Sequence, residues 1–333
     1  MLPRHKSAPK HSAHITYLNL DTCKLPPLRN GTTLQRDIAR TLLYFDIFRH
    51  PLRLAEIHRF LPSNSVTVDD IQKACSSEPL NGCLVEINGL VCLDNEKTGY
   101  IDERSKKEQR ARRLWRIAVL MSHIIQRFPF VRGIFVSGEL SKGVASEKSD
   151  IDFFVITAPN RVWIARTIFT LFKRFFLFNQ KKLFCYNHIT SEQYLEITDR
   201  NIYTAMEVAT LRPIYNMPLY IQFMNANSWI RDYLPNSYTH QPIMEGVVQK
   251  SPLSERIISR LLSSKNLDVF DLWLLTKWRT LWAHRYHFLT SEQREKRLRC
   301  ETHISTAYVN DFFPRITHAY EQRLNQYGLT SAG

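Results

Sequence analysis

The hydrophobic pattern begins as helices and then changes to a strand-like alternation. A first helix is predicted from Thr32 or Thr33, either of which can cap it, up to the proline at Pro51. Two shorter helical patterns follow, over 54–61 and 67–75. The next segment alternates apolar and polar residues around Asn88-Gly89, the pair typical of a tight hairpin turn. The sequence therefore predicts three short helices and a β-hairpin in the first hundred residues.

The middle of the chain mixes strand and helix patterns. A long helix is predicted over 102–127, basic in its first half and apolar in its second. Strand patterns at 133–140, 150–157 and 183–190 surround an apolar helix at 161–178. This order indicates an α/β or α+β core, and the chain beyond residue 199 reads as helices and loops, with a loop at 237–250. We assign the α+β class.

Three helices followed by a hairpin is the layout of a winged helix, so a winged-helix-like module is predicted. Its third helix, TVDDIQKAC, carries two acids and one lysine, whereas a helix that reads a DNA groove is basic or rich in amides. This charge favours a packing or docking role over DNA binding. The predicted divisions are a disordered basic arm at 1–32, the winged-helix-like module at 33–98, a basic linker helix at 99–130, a sheet core at 131–216 and a C-terminal helical domain at 217–333.

Composition narrows the classes of partner. The net charge is +14, and nearly all of it lies in three runs, at 1–32, 103–116 and 161–182. Concentrated positive charge favours an anionic partner such as nucleotide phosphates or a nucleic acid. The longest apolar stretch, within 162–178, is interrupted by three basic residues, so neither a membrane span nor a membrane partner is predicted. Six scattered cysteines and a polar start without a secretory signal indicate a cytoplasmic protein.

The segment VSGELSKGVASEKSDIDFFVI carries the candidate chemistry. A turn after a strand contains Ser137, Gly138, Ser141, Lys142 and Gly143, where glycines let backbone N–H groups approach a phosphate.

Twelve residues after the first glycine of that turn, Asp150 and Asp152 open the next predicted strand. Residues i and i+2 of a strand project to the same side, so both carboxylates are expected to face the turn. Two adjacent carboxylates favour a divalent cation with hard oxygen ligands, which suits Mg²⁺ and phosphoryl transfer.

This turn, its spacing and the apolar strand together resemble the signature of the polymerase-β nucleotidyltransferase superfamily, and most closely its small bacterial stand-alone members. The resemblance covers about 131–190. It implies a nucleotidyltransferase-like mixed sheet, with Asp150 and Asp152 as catalytic metal ligands for Mg²⁺ or Mn²⁺. It further implies that the turn residues hold a nucleoside triphosphate.

Two positions depart from that family pattern. Glu139 stands where a serine usually follows the glycine, and a carboxylate there would repel a triphosphate unless it turns away or binds a cation. The strand expected to carry a third carboxylate offers Asn187 as the nearest polar residue and His188 as a candidate base. Glu192 and Glu196 lie just beyond that strand and could also reach the site, so the third position stays open. Glu207, in a later apolar helix, reads equally as a buried hydrogen-bonding group or as an active-site neighbour.

These observations leave three functions open. The first is a magnesium-dependent nucleotidyltransferase that moves an NMP from an NTP to a hydroxyl of a small molecule, a protein or RNA. The second is a non-catalytic binding or regulatory protein with the same fold, which the two departures favour. The third is a nucleic-acid-binding protein led by the winged helix.

Overall fold

The computed structural model describes residues 28, 31–93, 99–178, 180, 182–239, 265–308 and 312–329. Within these ranges the chain forms twelve α-helices, one 3₁₀ helix and seven strands. The predicted arm at 1–32 and the predicted loop at 237–250 lie almost wholly outside the described residues. The described chain is a mixed α+β protein, in agreement with the predicted class.

The N-terminal elements follow the predicted order. They are α1 (Thr33–Asp46), α2 (Leu54–Phe60), α3 (Val68–Cys75), β1 (Leu84–Ile87) and β2 (Leu90–Leu93). Thr32 caps α1 in a capping box with Gln35, so the first of the two predicted cap positions is the one used. Asn88 and Gly89 both have positive φ, 54° and 72°, as a two-residue hairpin turn requires.

The remaining elements build a five-stranded sheet and its covering helices. In chain order they are α4 (Gly99–Ile125), β3 (Val131–Ser137), α5 (Gly138–Ser141), β4 (Asp152–Thr157), α6 (Val162–Phe176), β5 (Cys185–Ser191), α7 (Ile202–Ala209), β6 (Arg212–Tyr215), α8 (Met217–Ala226), the 3₁₀ helix (Ser228–Asp232), α9 (Pro235–Thr239), α10 (Lys265–Arg285), α11 (Ser291–Arg297), β7 (Ile304–Thr306) and α12 (Phe313–Gln326).

The sheet order is β6-β3-β4-β5-β7, with β4 and β5 parallel and the other neighbours antiparallel. The sequence did not predict the two edge strands. In the sequence, Pro213 indicates the end of a helix and not a strand. An edge strand nevertheless tolerates a residue without an N–H, and Pro213 lies in β6. β7 has only three residues and lies in the segment predicted to consist of helices and loops, where the sequence indicated no strand.

The sheet separates two apolar cores because its side chains alternate between sides. One side packs with α1, α2, α3, α7, α8 and α12 through Phe135, Phe154 and Ile156. The other packs with α4, α6 and α10 through Ile134, Val136, Phe153 and Val155. The N-terminal module therefore shares a continuous core with the sheet, and the strand ends meet solvent between the two helical layers.

A buried carboxylate joins α10 to α6. Asp271 Oδ1 accepts hydrogen bonds from the backbone N–H groups of Trp163 and Ile164, at 2.9 and 2.8 Å. These two donors lie in the first turn of α6 and have no partner within the helix. Burial raises the pKa of Asp271 to about 6, against the lowering effect of the two hydrogen bonds.

Two further findings bear on partners. Among the described residues, no helix combines the length and the apolar character that crossing a bilayer requires. The first turn of α3 presents Asp69 and Asp70 to solvent, as the sequence indicates. The charge argument against groove reading by α3 therefore applies to an exposed surface.

Candidate functional site

A cavity of about 1740 Å³ opens beside the start of β4. Its described lining comes from the basic half of α4, the turn after β3, the first residues of β4 and β5, α7, and the segment from α11 to the residues after β7. Twelve Lys or Arg side chains and eight Asp or Glu side chains line it. The charged run at 103–116 therefore faces the same space as the predicted turn.

The turn after β3 is shaped by Gly138. Its φ is +70°, which costs an L-residue energy but not glycine. A Cβ built on Gly138 would lie 2.7 Å from Oδ2 of Asp152. The glycine is thus required both for the backbone turn and for the close approach of the Asp152 carboxylate.

Asp152 is the predicted acid that reaches the cavity. It is the first residue of β4 and lies opposite Ser137 in the antiparallel β3–β4 register. Its Oδ1 accepts a hydrogen bond from Nδ2 of Asn187, at 3.4 Å. Burial and the neighbouring Asp152 carboxylate raise the pKa of the Cys185 thiol well above its usual range. Asp152 therefore sits between the turn and β5.

An irregularity in the β4–β5 pairing brings Asn187 to this position. Asp152 pairs with Cys185, but Phe154 pairs with His188, so β5 contains one extra residue between the two pairs. Such a bulge changes the direction of the side chains beside it. The amide that the sequence proposed for the third position is thereby placed next to Asp152.

Asp150 takes a different position from the one predicted. It precedes β4 by two residues, is only 7% exposed and is not among the residues lining the cavity. It lies two residues before Asp152, and both carboxylates contribute to raising the pKa of the Cys185 thiol. The expectation that both acids open the same strand is wrong for Asp150, because regular pairing with β3 starts only at Asp152.

The other predicted turn residues divide into two groups. Ser137, Gly138 and Lys142 line the cavity, whereas Ser141 and Gly143 do not. The Ser141 hydroxyl donates to the Gly138 carbonyl at 2.8 Å, so it braces the turn. Gly143 has φ +75° and open space where a Cβ would stand.

Glu139 supports the loop that follows. Its Oε2 accepts a hydrogen bond from the backbone N–H of Ser146 at 2.8 Å and another from the Ser149 hydroxyl. These contacts close the loop between α5 and β4, immediately before the two aspartates. The Glu139 carboxylate therefore stabilises the backbone of the loop that precedes Asp150 and Asp152.

Lys142 is paired with a residue from α7. Its Nζ donates to Glu207 Oε1 at 2.9 Å and to the Gly138 carbonyl at 3.3 Å. Glu207 also lines the cavity. Of the two readings that the sequence leaves open for Glu207, the structure favours a neighbour of the turn.

Two residues complete the wall on the β5 side. His188 stacks on Phe154 with ring centroids 4.1 Å apart, and its Nδ1 lies 3.1 Å from the Tyr308 hydroxyl. Burial lowers the pKa of His188 to about 3, so the ring is neutral at physiological pH. Desolvation, Glu207 and Asp152 raise the pKa of Tyr308, and all three side chains line the cavity.

Sequence reasoning missed Tyr308 because it follows β7, which gave no detectable pattern. It also missed that Lys106, Lys107 and Arg110 of α4 would line the cavity. The basic run in α4 is evident in the sequence, but its position at the cavity depends on long-range packing.

The cavity offers few ligands to a divalent cation. Within the described ranges, no cluster of three or more His, Cys, Asp or Glu side chains can hold a metal by itself. Asp152 offers hard oxygen ligands at the cavity, and Asp150 stands two residues before it in the chain. Mg²⁺ commonly binds through one or two carboxylates together with phosphate oxygens and water. The residues therefore fit a cation that arrives with a polyphosphate.

No family model, no curated protein and no solved structure matches the chain.

Proposed function

We propose that the cavity binds an NTP with Mg²⁺ or Mn²⁺, and that the protein transfers the NMP to a hydroxyl acceptor with release of pyrophosphate. The observation that carries the proposal is the Gly138–Asp152 contact. A carboxylate lies against a positive-φ glycine at the edge of a large cavity rich in cationic side chains.

The size and charge of the cavity support a nucleotide substrate. Pockets for small ligands are commonly about 300–1000 Å³. A volume of about 1740 Å³ leaves room for an NTP and for part of an acceptor. The surplus of cationic side chains favours a polyphosphate over a neutral ligand.

Within this proposal, Gly138, Lys142 and Asn187 each have a physical role. The Gly138 backbone can approach a phosphate because no Cβ stands in the way. Lys142 supplies positive charge once a phosphate competes with Glu207 for its ammonium group. Asn187 orients the Asp152 carboxylate through its amide. A bound divalent cation would neutralise the negative charge that develops on the phosphoryl oxygens.

Glu207 is the carboxylate assigned to accept the acceptor's proton. It lines the cavity beside the turn, where its Oε1 accepts a hydrogen bond from Lys142 Nζ at 2.9 Å. Asn187 cannot take a proton, and His188 has its pKa lowered far below neutrality. Glu207 would therefore take the part that the family resemblance assigns to a carboxylate on β5.

The second candidate is a nucleotide-binding protein without catalysis. The observation that favours it is the amide of Asn187 at the position beside Asp152, together with the retention of Glu207 in an ion pair with Lys142. Under this alternative the cavity binds a metal–NTP complex but forms no product.

The test is label transfer by the full chain. Each of the four NTPs, labelled at the α-phosphate, is incubated with Mg²⁺ or Mn²⁺ and screened against protein, RNA and small-molecule acceptors. We expect label transfer and pyrophosphate release that Asp152→Asn abolishes. Asp69→Asn, an exposed position on α3 outside the cavity lining, is the matched control and should retain activity. Metal-dependent binding without transfer to any acceptor would favour the second candidate.

A further inference from the structure

The last two turns of α6 present apolar side chains to solvent. Leu171, Phe175 and Phe178 follow helical spacing at and just beyond the end of α6, and they are 48%, 66% and 83% exposed. Phe176, beside them, is 72% exposed. Large exposed apolar groups concentrated in this way mark interaction surfaces in soluble proteins.

The exposed end of this stretch is basic. Residues 171–182 contain four Lys or Arg residues and no Asp or Glu. Arg174 directly precedes Phe175, Lys182 follows Phe178 by four residues, and both side chains are exposed. We call the surface formed by Leu171, Arg174, Phe175, Phe176, Phe178 and Lys182 the aromatic–basic patch.

The neighbouring helix α10 has the same character. It packs alongside α6, with Trp163 and Trp282 in ring contact at 6.0 Å. Trp273 is 52% exposed, and Lys277 lies over its ring. α10 carries four Lys or Arg residues against Asp268 and the buried Asp271.

We propose that the aromatic–basic patch docks on an anionic phospholipid bilayer, with the phenylalanines in the interfacial region and the cationic side chains at the headgroups. Interfacial helices combine aromatic or aliphatic side chains with Lys and Arg in this way. The sequence predicts no membrane partner because no segment can span a bilayer. Docking on the surface needs no span.

The charge distribution favours an anionic bilayer over a second copy of the chain or a nucleic-acid duplex. In a two-fold contact between copies of this chain, each patch would meet its own positive charge without a compensating acid. A nucleic-acid duplex would pair its phosphates with the cations but would leave the phenylalanines exposed beside a polar backbone. An anionic bilayer provides both an apolar layer and negative charge within reach of one helix.

Docking also has a consequence for the cavity. Lys173, on the same two turns of α6, lines the cavity. The docked helix would therefore hold the cavity rim close to the membrane surface.

The test is flotation of the full chain with vesicles of phosphatidylcholine alone and with vesicles that also contain phosphatidylserine. We expect binding to the anionic vesicles only, weakened by added salt. The triple variant Phe175→Ser, Phe176→Ser, Phe178→Ser should bind more weakly by about 100-fold or more. Arg174→Glu with Lys182→Glu should weaken binding by about fivefold or more for each cation removed.

The matched control is Val68→Ser with Ile221→Ser. These residues are 37% and 51% exposed on α3 and α8, which pack on the other side of the sheet from α6, and the control should bind as the wild type does. Because all the changed phenylalanines are exposed, thermal unfolding of the triple variant should match that of the wild type.

The proposal is overturned if wild type does not float with anionic vesicles, or if the triple variant floats as well as the control. A wild-type dimer that the triple variant converts to a monomer, without vesicle binding, would assign the patch to self-association. Binding to RNA or DNA that the charge-reversal variant loses, again without flotation, would assign it to a nucleic acid.

Discussion

Replacing Gly138 by alanine tests the geometry on which the proposed site depends. The new Cβ would lie 2.7 Å from Asp152 Oδ2, whereas non-bonded heavy atoms in contact lie roughly 3.5 Å apart. The carboxylate must therefore retreat by an amount on the order of half an ångström or more. The positive φ adds about 1–2 kcal/mol of backbone strain.

Gly143→Ala is the matched control because it isolates the effect of the clash. Gly143 also has positive φ, but no atom lies within 4 Å of its built Cβ. Both variants should lose about 1–2 kcal/mol in the free energy of unfolding, measured by urea denaturation.

The two variants should differ in function. Displacement of a catalytic group by about 1 Å can cost on the order of 100-fold in rate. We therefore expect Gly138→Ala to reduce NTP-dependent label transfer by about that factor, while Gly143→Ala retains it. Equal activity of the two variants would refute the assignment of the Gly138–Asp152 contact to the site.

Four further predictions concern three carboxylates and Lys142. Glu139→Ser should lower the free energy of unfolding by about 1–3 kcal/mol, because its loop contacts are lost, and should leave NTP affinity unchanged. A marked gain in NTP affinity would mean that Glu139 repels the ligand. Glu207→Gln should keep or improve NTP affinity by releasing Lys142, yet lower turnover by about 100-fold, and unaltered turnover would exclude Glu207 as the base. Lys142→Ala should weaken NTP binding by about tenfold in calorimetry, and unchanged affinity would remove Lys142 from the phosphate site. Folding raises the pKa of Asp271 to about 6, so its contribution to stability is present at low pH and is lost as pH rises from about 4 to about 6. We therefore expect the free energy of unfolding of the wild type, relative to that of Asp271→Asn, to fall by roughly 2–3 kcal/mol over that range. A rise in this difference would contradict the desolvation argument.

Local patterns in the sequence predicted most of the central elements. Thr32, the Asn88-Gly89 turn and the apolar strand after Asp152 each determine nearby backbone geometry, and the structure places helices and strands there. The boundaries were less accurate, because the pairing that starts β4 at Asp152 depends on its neighbours in the sheet.

The parts that depend on distant residues could not be predicted. The Lys142–Glu207 pair joins residues 65 apart in the chain, and the contact between His188 and Tyr308 joins residues 120 apart. Glu139 looked like an obstacle to a triphosphate because its hydrogen bonds to the following loop leave no trace in a single sequence. β6 and β7 are short, and their pairing partners define them as strands.

The most direct test of the central claim is calorimetric titration of wild type and Asp152→Asn with each NTP, with and without Mg²⁺. The proposed site predicts metal-dependent binding to wild type at micromolar to millimolar concentrations and loss of that binding in Asp152→Asn, with the free energy of unfolding unchanged. Metal-dependent NTP binding of equal strength in both proteins, or none in wild type, would contradict it.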